Sequence, residues 1–238
     1  MAIRKPVAMV AGVGPGLGAA LCHRLSTEGY AVAGLARSES FLEWLSGDLD
    51  RAGGTARMVP CDLTDPQAVE QATATVSDAL GPPRVLIYNA GAIAMSPFAD
   101  TAVEDFDRLW QVNCRGAFLC ARQVVPGMLE RGEGTIVFTG ASASLKPGAR
   151  FAAFGAGKFA LRGMALSMAR ELGPQGIHVA HALIDGVIWT PRTRTWEGVT
   201  EANTLQPEAI AESYLALINQ PRSAWTLELD LRPDVEPF

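Results

Sequence analysis

The residues of this chain whose types and spacing could do chemistry begin with a glycine run, Gly12-Val13-Gly14-Pro15-Gly16-Leu17-Gly18. Glycine lets a backbone turn sharply and approach a pyrophosphate, and the free N–H groups and positive dipole end of a helix starting there can hold its charge. The backbone of Gly12, Gly16, Leu17 and Gly18 is therefore expected to cradle phosphates, provided a strand precedes it and a helix follows. Lys158 is the second candidate. It falls on the apolar stripe of Phe154, Leu161, Ala165, Met168 and Leu172, where an ammonium is costly unless it reaches a partner or a ligand. Asn113 has a similar setting among Phe106, Leu109, Trp110, Ala117 and Val124. An amide there either ties helix backbone together or serves a site, and the two roles can coexist.

The elements that must position these residues follow from hydrophobic rhythm. Short Val- and Ile-rich runs predict strands over Val7–Ala11, Ala31–Ala36, Ala56–Pro60, Val85–Asn89, Thr135–Thr139, Val179–Ile184 and Thr226–Leu229. Helical spacing predicts helices over Gly16–Ser26, Phe41–Ala52, Pro66–Leu80, Val103–Arg131, Phe151–Leu172 and Pro207–Asn219. Ser40 with Glu43 reads as a capping box, and Asp65 as the cap of the third helix. The strands lack polar alternation, as expected when helices cover both faces of a parallel sheet. The fold expected is α/β: a doubly wound parallel sheet of about seven strands, with residues 1–238 as a single dinucleotide-binding domain. The long aperiodic stretch from Asp185 to Gln206 reads as a lid or binding segment.

With the glycine run standing between strand and helix, its GxxxGxG spacing resembles that of the short-chain dehydrogenase/reductase family. The likeness extends to Tyr88-Asn89-Ala90-Gly91 in the place of that family's NNAG, Asp62-Leu63 after strand three and Val112-Asn113 on the long helix. It covers nearly the whole chain and implies a Rossmann-type fold binding NAD or NADP. It also implies that Asp62 and Leu63 lie by the adenine, that Asn89, Ala90 and Gly91 hold the strand end abutting the cofactor, and that Lys158 binds the nicotinamide ribose. After strand six, Gly186, Ile188 and Thr190 keep the family's pattern with Asp185 in place of a proline. The resemblance implies that Ile188 and Thr190 touch the nicotinamide, and Trp196 is expected in the lid. A homodimer or homotetramer through two long helices is implied as well.

The end of strand two reads Gly34-Leu35-Ala36-Arg37-Ser38, with no acid to receive the ribose hydroxyls. Arg37 can pair bidentately with a 2′-phosphate, so NADP is expected, NAD less so. The family's catalytic tyrosine should stand four residues before Lys158, and Phe154 stands there. A phenyl ring has no proton to give. Its serine should stand at position 141, which is alanine, flanked by Ser142 and Ser144 out of register. Loss of a positioned acid typically costs about 10² to 10⁴ in rate. Asn113, Lys158 and Ser142, the last as a substitute proton carrier, are the catalytic residues expected. Of the three tyrosines only Tyr88 falls near the implied cofactor, where packing in the sheet is its commoner role. Lys146 and Arg150 are loop charges that could meet an anionic substrate, and Asp185 could cap backbone or act as an acid.

Two functions follow from this set. One is an oxidoreductase acting on a carbonyl or alcohol small molecule with an atypical site. The other is a dinucleotide-binding pseudoenzyme acting as a redox sensor or oligomeric scaffold. Composition limits the alternatives. With 48% apolar and 19% charged residues and a net charge of -5, the chain is neither disordered nor basic enough for a nucleic-acid face. The four cysteines and three histidines lack the spacing of a metal site, and no apolar run approaches the roughly 18 residues of a membrane span. Arg4 and Lys5 ahead of an apolar stretch look like a secretory signal, but Gly12 to Gly18 break the helix it would need. A cytoplasmic protein is expected.

Overall fold

The computed structural model describes residues 5–236, so Arg4 lies outside them. Seven strands form one parallel sheet: β1 (Val7–Ala11), β2 (Ala31–Ala36), β3 (Thr55–Pro60), β4 (Val85–Tyr88), β5 (Gly134–Thr139), β6 (Ile177–Ile184) and β7 (Glu228–Leu231). Their order is β3-β2-β1-β4-β5-β6-β7. The helices are α1 (Leu17–Thr27), α2 (Glu39–Arg51), α3 (Pro66–Leu80), α4 (Val103–Trp110), α5 (Gly116–Arg131), α6 (Ala152–Leu172) and α7 (Pro207–Ile218). The chain runs outward from β1 to β3 and then returns to lay β4 on the other side of β1, so the connections leave β1 and β4 in opposite directions. A crevice opens at their carboxyl ends, the usual ligand position in an open α/β sheet.

Every residue of β1, β2, β4, β5 and β6 is buried, whereas the edge strands β3 and β7 alternate between exposed and half-buried. This is the burial that continuous apolar runs demand. On one face α3, α5 and α6 pack Val69, Ala72, Leu119, Val124, Leu161 and Ala165 against Met9, Leu86 and Phe138. On the other, α1, α2 and α7 pack Leu21, Leu25, Leu45, Leu49, Ile210 and Tyr214 against Val10, Val32 and Ile87. The Asp65 carboxylate accepts from the Gln67 and Ala68 N–H groups at 2.8 and 3.4 Å, fixing the start of α3.

Three expectations need correction. The Ser40–Glu43 box does not form, because α2 begins earlier, at Glu39, with Ser38 at its N-cap and no side-chain cap bond. The long helix is not continuous. Gln111–Arg115 forms a π turn between α4 and α5, and such a turn admits one extra residue and rotates the side chains that follow. The last strand starts two residues later than Thr226. Thr226 is occupied elsewhere, its N–H bonded to Gln220 Oε1 at 2.7 Å and its carbonyl to His178 Nε2 at 2.8 Å, and pairing with β6 begins at Glu228.

The backbones of the first and fourth strand ends approach closely. Gly12 has φ +98° and a side chain there would place Cβ 2.3 Å from the Ala90 backbone nitrogen. Gly12→Ala is expected to destabilise the fold by about 1–3 kcal/mol, read as a lower urea midpoint at unchanged slope.

Candidate functional site

The glycine run turns at the end of β1. The Gly12 and Val13 N–H groups both donate to the Leu35 carbonyl of β2, at 2.8 and 3.0 Å. Gly16, at φ +143°, is the N-cap of α1 and brings no side chain to close it. A helix start left open in this way is suited to an anion. Gly18 lies against the turn, where a Cβ would come within 2.8 Å of Val13 Cα. Leu17 is buried below it. Thr190 packs its methyl group on Gly16, so the base of the Asp185–Gln206 segment seats directly on this loop.

Beside the loop, Asn89 Nδ2 donates to the Gly12 carbonyl at 3.0 Å and Asn89 Oδ1 accepts from the Thr139 hydroxyl at 3.3 Å. Thr139 in turn accepts from the buried Tyr214 hydroxyl of α7 at 3.0 Å. The backbone carbonyl of Thr139 accepts from Lys158 Nζ at 2.9 Å. Asn113 is fully buried in the π turn, where its amide exchanges both hydrogen bonds with the Ala92 backbone, at 3.1 and 2.8 Å. Asn113 and Lys158 meet at Gly91. A Cβ at 91 would stand 3.5 Å from Asn113 Oδ1 and 3.7 Å from Lys158 Nζ, so the missing side chain leaves room in front of both. Burial lowers Lys158 from its usual 10.5 to about 8.

Further along the crevice, Arg37 is exposed just beyond β2 and Asp62 just beyond β3. The Thr64 N–H and hydroxyl both donate to Asp62 Oδ1, at 2.9 and 2.8 Å. These bonds, with the nearby Arg37 charge, hold its carboxyl below the ordinary range. Leu63 is buried beneath. Ile188 bridges to Leu205, and Thr193 Oγ bonds the Ile188 carbonyl at 2.5 Å and Thr190 Oγ at 2.9 Å, giving the aperiodic segment its own internal frame. Gly186, at φ +146°, lies against Pro233. A groove of about 600 Å³ runs from Pro15 and Gly16 of the glycine loop along α1 between Trp44, Trp189 and α7; it contains neither Asn113 nor Lys158.

The positions where proton transfer would be sought are apolar or engaged. Phe154 stands one turn before Lys158, half-buried, edge-on to Phe151 with ring centroids 6.2 Å apart. Ser144 is fully buried and its Oγ accepts from the Ala141 N–H at 3.2 Å. The Ser142 hydroxyl is turned to Asp185. Asp185 is buried between Lys146 Nζ and Arg232 Nη2, each 3.2 Å away. Burial pushes its carboxyl up, and Ser142, Lys146 and Arg232 outweigh that and hold it low. Tyr88 lies fully buried in the sheet and donates to the Val112 carbonyl at 2.6 Å. Its role is packing and holding the π turn. Sequence reasoning missed Thr139 and Tyr214 altogether, since neither carries a motif. Among the described residues no cluster of His, Cys, Asp and Glu could hold a metal, and no helix is long and apolar enough to cross a membrane.

The short chain dehydrogenase family model matches residues 6–198. A short-chain dehydrogenase/reductase of Armillaria gallica is 34% identical over 220 residues, 90% of this chain and 84% of its own. A solved short-chain dehydrogenase from Rhodopseudomonas palustris superposes with a TM-score of 0.83 at 35% identity, covering 97% of this chain and 100% of its own. A variant of the actinorhodin polyketide ketoreductase, solved with NADPH, gives a TM-score of 0.90 at 28% identity, with full coverage of both chains.

Lys158 gives the site a pH signature. Its folded-state value of about 8 lies below its usual 10.5, so the cost of burying the ammonium is fully present below pH 8 and relieved as pH rises toward 10.5. Through that window Lys158 should raise the stability of the ligand-free protein, by at most about 1.4 kcal/mol per pH unit. The rise is expected in urea titrations of the wild type relative to Lys158→Met, and parallel pH dependences of the two would refute it.

Proposed function

The chain belongs to the short-chain dehydrogenase family, and from that premise we propose that it is an NADP-dependent oxidoreductase, exchanging a hydride with a small molecule through a divergent active site. The observation that carries this reading is the meeting of Asn113 and Lys158 in front of Gly91, at the crevice end beside an open helix N-terminus. A lysine is buried at such cost where its charge has work to do. When bound, the dinucleotide supplies the hydride carrier. The backbone at Gly12, Gly16, Leu17 and Gly18 receives its pyrophosphate, and Lys158 with the Asn113-ordered loop at Gly91 and Ala92 orients the ribose. Asp62 and Leu63 flank the adenine, Asn89 and Ala90 fix the floor, and Gly186, Ile188 and Thr190 close on the nicotinamide.

NADP is favoured over NAD by Arg37, by the absence of an acid at the end of β2 and by the NADPH in the ketoreductase of similar structure. Oligomerisation forms part of the same reading. Val103, Phe106, Trp110 and Phe118 are exposed on α4 and α5 at 69, 42, 40 and 50%, an apolar face that a second copy of the chain would bury.

Titration with NADPH, followed by cofactor fluorescence, tests the reading: saturable binding is expected, and none at millimolar cofactor would overturn it. Arg37→Asp should weaken NADPH about 10- to 100-fold relative to NADH, and an unchanged ratio would remove Arg37 from the site. Phe118→Glu should yield monomers by light scattering where the wild type is a dimer or tetramer.

A further inference from the structure

Hydride transfer to a carbonyl leaves an alkoxide, and the step depends on a proton delivered in place. Around Lys158 no hydroxyl is free to deliver it, and the Lys158 ammonium donates to the Thr139 carbonyl at 2.9 Å. Phe154 and Ala141 occupy the two positions where a hydroxyl would serve. The Tyr88 and Tyr214 hydroxyls are buried and donate to the Val112 carbonyl and Thr139 Oγ. Thr139 donates to Asn89, Ser142 faces Asp185, and Ser144 lies fully buried against the Ala141 N–H. Thr190 and Thr193 bond each other. A substrate suited to this site is one whose reduction requires no proton.

Resting on the hydride-transfer reading above, we propose that the cleft beside Phe154 takes a protonated imine carried on an apolar framework. The iminium carbon accepts the hydride and its electron pair from a reduced nicotinamide dinucleotide. The π pair of the C=N bond moves onto nitrogen, and the products are a neutral amine and the oxidised dinucleotide. No proton is gained or lost.

The surroundings fit such a ligand. The face of a phenyl ring attracts a cation, most strongly where water is excluded, and the edge contact with Phe151 fixes the Phe154 ring. Two nearby cations, Lys146 and Arg232, are drawn onto Asp185 at 3.2 Å each. The Ser96 N–H donates to the Arg150 carbonyl at 2.9 Å, tying the loop after β4 to the entry of α6. Arg150 takes φ +71° at that junction. Ile93 and Met95 on the tied loop, with Leu145 after β5, expose 47, 54 and 46% of their surface, apolar side chains left uncovered on the loops that lead to α6.

The test uses 3,4-dihydroisoquinoline and its carbonyl counterpart of similar shape, 1-tetralone. With NADPH, the imine should be reduced at least about 100-fold more efficiently than the ketone, and its kcat/KM should fall as pH rises through the imine's own pKa. Phe154→Tyr should raise ketone reduction about 10- to 100-fold without raising imine reduction. Independently of turnover, calorimetry with the tetrahydroisoquinolinium cation should show binding to the cofactor-free protein that Phe154→Leu weakens about three- to tenfold. Equal or faster reduction of 1-tetralone by the wild type would overturn the proposal. So would NADPH binding without reduction of either compound, or cation binding indifferent to Phe154→Leu. Failure of NADPH itself to bind would instead remove the hydride-transfer reading on which the proposal rests.

Discussion

Lys158 holds an ammonium out of water beneath the carboxyl ends of β4 and β5, and the rest of the site is arranged around that cost. Its hydrogen bond goes to the Thr139 carbonyl, so the last residue of β5 must stay in place. Thr139 is held from the opposite face of the sheet, where its hydroxyl joins Tyr214 of α7 to Asn89 at the end of β4. Asn89 passes the constraint on to the Gly12 carbonyl and so to the glycine loop. A buried charge, three strand ends and a glycine turn thereby form one hydrogen-bonded unit, of the kind in which loss of one member leaves buried groups unpaired.

The same unit explains the π turn. Asn113 must point its amide at the Ala92 backbone, and a regular helix from Val103 to Arg131 would carry the next residues around out of phase. The extra residue at Gln111–Arg115 lets Asn113 face the crevice while α5 still presents Ala117, Leu119 and Val124 to the core. Tyr88 bonds the Val112 carbonyl within this turn, a donor from the sheet serving backbone that the altered helix geometry leaves in need of one.

Much of this was legible beforehand. A parallel sheet covered on both faces leaves its central strands no polar alternation, and the Val- and Ile-rich runs gave β1, β2 and the ends of the others to within two residues. The glycine spacing located the loop, and the buried-lysine argument located Lys158. The misplaced cap at Ser40 and the late start of β7 have different causes. α2 begins at Glu39 with no side-chain cap bond, and Ser40 Oγ lies 3.4 Å from Ser38 Oγ, whereas Thr226 is held by Gln220 and by His178 of β6, a partner that lies outside the local window.

What the sequence by itself determined is the order of strands and helices, the glycine turn, Arg37 at the end of β2, and a phenyl ring one turn before Lys158. These are local properties of the chain, set by side-chain type and period. Only the tertiary structure decided that Thr139, Tyr214 and Asn89 act together, that Asp185 gathers Ser142, Lys146 and Arg232, and that the hydroxyls nearest Lys158 are already spent. The partners in each set come from different strands and helices, and no period or spacing in a linear sequence records which side chains meet once the sheet has been wound.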